Sequence, residues 1–163
     1  MATARDDLYH QDWYCWARQQ AGGLRRLADE RINTDVELQR IAEDLDEMAD
    51  GRQDALRNQL RRIIEHLLKL EYLPAANPRR LWRLSIREAR IRARKLVTSK
   101  LESEARVELP DTYADARELA TEAMREFGEE AAAAQVPTSC PYSFEQLLDR
   151  DWLPKSPGDE AAG

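Results

Sequence analysis

The segment "RRLWRLSIREARIRARK" (residues 79–95) carries eight basic residues and a single acid, Glu88. An arginine guanidinium presents five N–H donors in a planar fork that matches phosphate and carboxylate oxygens. Such a segment can therefore hold a phosphate backbone or pair with carboxylates on neighbouring helices. At helical spacing Arg83, Arg87, Arg90 and Arg94 form one stripe, while Trp82, Ile86, Ala89, Ala93 and Leu96 form a second, apolar one. Arg61 and Arg62 are placed to extend the basic patch. For internal pairing the acids on offer are Glu43, Asp44, Glu47, Glu118 and Glu122. Trp and Arg dominate protein-binding hot spots. Trp82 beside Arg79, Arg80 and Arg83 is accordingly the best hot-spot candidate, and the candidate surface is Arg79, Arg80, Trp82, Arg83, Arg87, Arg90 and Arg94.

A second constellation has the chemistry of a metal site. Glu43 and Glu47 are four residues apart and share a helix face, and His66 is expected one helix later. Carboxylates and a histidine on facing helices are how bundles build metal centres. The usual bundle site repeats Glu-x-x-His on two helices, whereas this chain has only His10 and His66. A metal or hydrolase site at Glu43, Glu47 and His66 therefore ranks third among the readings. Cys15 sits within "WYCW" and reads as a small core residue. Cys140 precedes Pro141 with no base close in sequence, and Ser85 has no identifiable triad partner. There is no glycine-rich phosphate loop and no zinc-ligand spacing. No catalytic set closes, and no cofactor is implied.

The elements that must position these residues carry segregated charge. Residues 1–51 hold 6 basic and 12 acidic side chains, residues 52–100 hold 14 and 4, and residues 101–163 hold 5 and 15. The net charge is −6 and the pI about 5.1. That field repels phosphates over most of the surface and weighs against a dedicated nucleic-acid binder. No apolar run approaches the ~20 residues that cross a bilayer, and the first residues contain no apolar signal-peptide core. A cytoplasmic location with two reduced thiols is the expectation.

Apolar spacing is helical almost throughout. A first helix is expected from Asp6 or Asp7 to about Arg26, weakened or ended by Gly22-Gly23. A second starts at "NTDVELQ" with Asn33 or Thr34 as N-cap, and Gly51 marks a break or kink. A third carries Leu56, Leu60, Ile63, Ile64, Leu67, Leu68 and Leu70 at threes and fours, and Pro74 stops it. "PAANP" reads as a turn. A fourth runs from Pro78 to about Glu104 and a fifth from Asp111 to Phe127. "GEEAAAAQVP" is compatible with a helical tail or a loop. Ser143 and Gln146 read as a capping box for a short last helix. Trp13, Trp16, Trp82, Trp152, Tyr9, Tyr14, Tyr72 and Tyr142 cluster near helix ends, as end-packing or as a binding surface. The expectation is an all-α, single compact bundle of five to six mainly antiparallel helices over residues 1–154, with a disordered tail over 155–163.

Four phrases, in order, resemble a known pattern. These are "LYHQDWYCWARQQAGGLR", "IAEDLDEMADGRQDALRNQLRRIIEHLLKLEY", "LWRLSIREAR" and "CPYSFEQLLDRDWLP". Together they resemble the bacterial family called "domain of unknown function 29", over roughly Tyr9 to Pro154. The resemblance implies a compact all-helical fold and no assigned activity. Leu70 departs from it, standing where the family often has a tryptophan, and that position reads as packing.

The function these readings favour is a non-enzymatic interaction module, acting on a protein partner or on a second copy of itself. The alternative is nucleic-acid association through the basic helix.

Overall fold

The computed structural model describes residues 4–74 and 78–157, with the side chains of residues 4–6 outside that description. The described residues are all-α. Eight helices follow in order: α1 (Ala4–Gln11), α2 (Trp13–Asp29), α3 (Leu38–Tyr72), α4 (Arg79–Leu96), α5 (Ser99–Val107), α6 (Leu109–Glu126), α7 (Glu130–Gln135) and α8 (Phe144–Leu148). The chain divides into two compact units, Met1–Ala55 with Leu96–Ala105, and Leu56–Lys95 with Arg106–Gly163.

In the first unit, α2 and the opening half of α3 meet through small side chains. Ala17, Ala21, Ala42 and Ala49 are fully buried, as are Leu101 and the body of Tyr14. Arg18 clamps Asp46 at 2.8 Å and Asp50 at 2.5 Å, and Arg25 reaches Asp46 at 2.5 Å. The pairing numbers fall on one helix as they rise on the other, so the two segments run antiparallel. Hydrogen bonding from Arg18 holds the Asp46 carboxyl below the usual aspartate range. Asp12 joins two helix starts. Its Oδ1 accepts from the Cys15 N–H and its Oδ2 from the Lys100 N–H, both at 2.8 Å, so one buried carboxylate caps α2 and α5 together.

In the second unit, the closing half of α3 supplies the core. Leu56, Leu60, Ile63, Ile64, Leu67, Leu68 and Leu70 are buried, with Ile86, Ala89 and Ala93 of α4, Tyr113, Ala116, Ala120 and Met124 of α6, and Phe144 and Leu147 of α8. Burying one such aliphatic side chain stabilises by about 1.5–3 kcal/mol. Gly128 ends α6 with φ +77°. Its N–H reaches the Arg125 carbonyl, and the Glu129 N–H the Met124 carbonyl. This is a left-handed cap that favours glycine. It resolves "GEEAAAAQVP" into a reversal followed by a separate helix. The capping box at Ser143 and Gln146 forms as expected.

The boundaries differ from the expectation of five to six helices at five places, each for a local reason. The first helix is broken at Asp12, whose non-helical backbone serves α2 as N-cap. Gly22-Gly23 leave α2 intact through Asp29, because tolerating each costs only ~1 kcal/mol. The second and third helices are one, α3, and Gly51 lies within it. The α3 start falls at Leu38 rather than after Asn33 or Thr34, since the Thr34 hydroxyl accepts from the Val36 N–H and makes a turn instead. The fourth helix stops at Leu96. The Thr98 hydroxyl then accepts from the Leu101 N–H and opens α5. The turn expected at "PAANP" falls partly on residues 75–77, outside the described residues, as do residues 158–163 of the tail expected over 155–163. Ser156 is tied down, bonded to the guanidinium of Arg79.

Candidate functional site

The arginines of α4 separate into two groups that do different work. Arg79, at the start of the helix, donates to the Leu70 carbonyl at 2.6 Å, in the last turn of α3, and to the Leu73 carbonyl at 2.9 Å, just past its end. Arg90 is 3% exposed. Its Nε donates to the Leu147 carbonyl, Nη2 to the Gln146 carbonyl and Nη1 to the Trp152 carbonyl, at 2.8–2.9 Å. Arg94 places Nε and Nη2 on the Leu148 carbonyl at 3.0 and 2.6 Å. Arg117 of α6 reaches the Pro137 and Val136 carbonyls, in the extended segment that follows α7. The last carbonyls of a helix lack partners within it and carry the negative end of the dipole, so a guanidinium satisfies both needs at once. Burial pushes the Arg90 guanidinium down to about 10, with Asp149 opposing that shift.

This arrangement corrects one expectation. At Arg90 and Arg94 pairing with helix carboxylates is replaced by pairing with backbone carbonyls, because α8 and the turn after it end against α4. Arg83 and Arg87 are exposed and have no hydrogen-bond or ion-pair partner among the described residues. Arg80 is likewise exposed. Trp82 is corrected as well. It is 7% exposed and packs inward with Ile86 and Ala89, so it offers no free hot spot.

What α4 presents outward instead is aliphatic. Leu81, Leu84 and Ile91 are 52–62% exposed. They fall with Glu88 on one row at alternating spacings of three and four, opposite the buried stripe. Arg80, Arg83 and Arg87 run along one edge of that row. A cavity of about 300 Å³ is lined by Arg87, Arg90, Ile91, Arg94 and Arg150. The row's outward position was legible in the sequence, because those residues lie off the core stripe. Arg150 had no such signal, since it reaches the site from the turn after α8.

The metal constellation is not assembled. Glu43, Glu47 and His66 all lie on α3 rather than on facing helices. On one continuous helix Glu47 and His66 are separated by about five turns, because Gly51 does not turn the chain. Among the described residues no group of three His, Cys, Asp or Glu side chains could hold a metal ion. Glu43 accepts from Gln39 at 3.1 Å, and Glu47 is exposed. The Nδ1 of His66 is buried without a hydrogen-bond partner, and burial lowers its imidazole from the ordinary value. Cys15 and Cys140 are free, half-buried thiols. Burial pushes the Cys140 thiol up, the opposite of what a reactive thiolate needs. No helix among the described residues is long and apolar enough to cross a membrane.

The described residues make this an all-helical protein. The family described as "Domain of unknown function DUF29" matches residues 8–153, and the chain belongs to that family. A crystal structure of an alpha-helical protein of unknown function from Rhodospirillum rubrum is similar, with a TM-score of 0.77 and 25% identity. The match covers 88% of this chain and 90% of that one. None of the curated proteins matches.

Proposed function

We propose that the protein is a non-enzymatic interaction module that associates with a second copy of itself through the outward face of α4. The observation that carries this reading is the exposed row Leu81, Leu84 and Ile91, edged by Arg80, Arg83 and Arg87. An apolar row edged by charge is the composition of a specific contact.

The chain itself carries a complementary surface. The opening half of α3 exposes Ile41 and Met48, two turns apart, at 41% and 58%. Asp44 is exposed next to them, and Glu47 and Glu43 are exposed further round the same helix. Aliphatic meets aliphatic and cation meets anion when α4 of one copy lies on α3 of another. Because the two surfaces differ, the contact is heterologous.

The test is sedimentation velocity across protein concentration at low and high salt. The expected result is association that weakens with salt, is lost in R83E/R87E, is lost in E43K/E47K, and returns when the two variants are mixed. A chain that stays monomeric at all concentrations in low salt overturns the reading.

Because Arg83 and Arg87 are exposed without partners, nucleic-acid association is the second reading. A mobility-shift titration with single- and double-stranded probes tests it. Binding that weakens steeply with salt and is lost in R83E/R87E would place it first, and no shift at low salt removes it.

A further inference from the structure

The cavity lined by Arg87, Arg90, Ile91, Arg94 and Arg150 is unusual in its charge. Four arginines and one isoleucine line about 300 Å³, and no Asp or Glu is among the lining residues. Like charges gathered around one cavity repel unless an anion sits among them. The carbonyl contacts of Arg90 and Arg94 hold two of these groups in fixed orientation. Arg90 uses three N–H groups on carbonyls and Arg94 uses two, so each keeps donors to spare from a guanidinium's five. Arg87 and Arg150 are exposed and keep all of theirs free among the described residues. The anchored pair is therefore preorganised, and the free pair can close on a ligand.

The number of donors identifies the ligand's chemistry. One carboxylate carries a single charge and two oxygens, and one arginine fork already matches it. A phosphoryl group carries close to two charges and three acceptor oxygens, which suits several forks converging from different sides. The cavity is also at the lower end of the volumes that hold small ligands, larger than one phosphoryl group needs, and Ile91 gives it an apolar wall. It shares Arg87, Arg90 and Arg150 with a neighbouring groove of about 540 Å³ that also contains Leu81, Leu84, Leu153 and one acid, Asp151.

We infer that this cavity is a binding site for a phosphate monoester, with the phosphoryl group among Arg87, Arg90, Arg94 and Arg150 and the organic portion against Ile91. Asp149 and Asp151 act on Arg90 electrostatically from the turn after α8, and they moderate the field without lining the cavity. The inference does not depend on self-association.

The test is calorimetric titration of the full chain with phenyl phosphate and, separately, with inorganic phosphate. Ionic strength is held constant with sodium chloride, and the protein is kept below any concentration at which it associates. Phenyl phosphate is expected to bind saturably and more tightly than inorganic phosphate. R150Q and R87Q/R150Q should weaken it at least about tenfold, with melting temperatures in chloride unchanged, since neither side chain has a folding partner. Absence of saturable binding of either probe overturns the site. Equal binding by wild type and the double variant overturns its location. Inorganic phosphate binding as tightly as phenyl phosphate overturns the monoester assignment in favour of the free ion.

Discussion

Arg83, Arg87, Arg90 and Arg94 look equivalent along the sequence, and the folded chain makes them unequal. Arg90 is buried against three carbonyls, and removing it leaves those acceptors without their donor. R90M is expected to lower stability by about 3 kcal/mol in urea denaturation. R83Q and R87Q should stay within about 0.5 kcal/mol of the parent. A similar loss at Arg83 would mean that it has a structural partner. The stripe itself was legible, because helical periodicity alone aligns these residues. Which members turn inward was not, because their partners are backbone oxygens some 55 residues away, and carbonyls leave no mark in a sequence. His66 makes a second point at this scale. Its folded-state pKa lies below the unfolded value because burial disfavours the imidazolium. Its contribution is therefore present above about pH 6.5 and is lost as the pH falls from there toward the folded value. Stability measured in urea should decline over that interval, and H66Q should flatten the decline.

Long apolar periodicity was the most readable feature among the elements. The run from Leu56 to Leu70 is buried as the threes-and-fours spacing requires. Breaks were less readable, since glycine marks a permissive backbone without saying whether the helix uses it. Gly51 and Gly128 show both outcomes. At Gly51 the backbone is helical and a Cβ would meet nothing within 4 Å. G51A should then stabilise by about 0.5–1 kcal/mol, read as a higher urea midpoint at unchanged slope. At Gly128 the positive φ makes any side chain strained, so G128A should destabilise by about 1 kcal/mol. Opposite signs for one substitution would confirm that α3 is continuous and α6 ends where Gly128 reverses the chain. The sequence reads α5 as the end of the fourth helix and α7 as a helical tail or a loop, because a Thr98 cap and the reversal at Gly128, rather than periodicity, mark where they begin.

Taken over the whole molecule, the charge segregation has more than one use. The acidic opening segment supplies Asp46 and Asp50 to Arg18 and Arg25. Asp46 is held below its ordinary range, so its contribution is present above about pH 3.9 and is lost as the pH falls through the folded value. D46N should remove part of the acid-induced unfolding below pH 4, a limb distinct from that of His66. The basic middle segment sends Arg79, Arg90 and Arg94 to carbonyls and leaves Arg80, Arg83 and Arg87 facing solvent. Composition showed that the charge was sorted, and only the folded chain shows where each part is spent. The carbonyl-held ends have an evolutionary consequence. An arginine that recognises backbone oxygen is indifferent to the side chains its partners carry. Gln146, Leu148 and Trp152 can be replaced as far as those bonds are concerned, while Arg90 and Arg94 cannot. Divergence among relatives should therefore be lopsided, with the holding residue kept and the held residues free to drift.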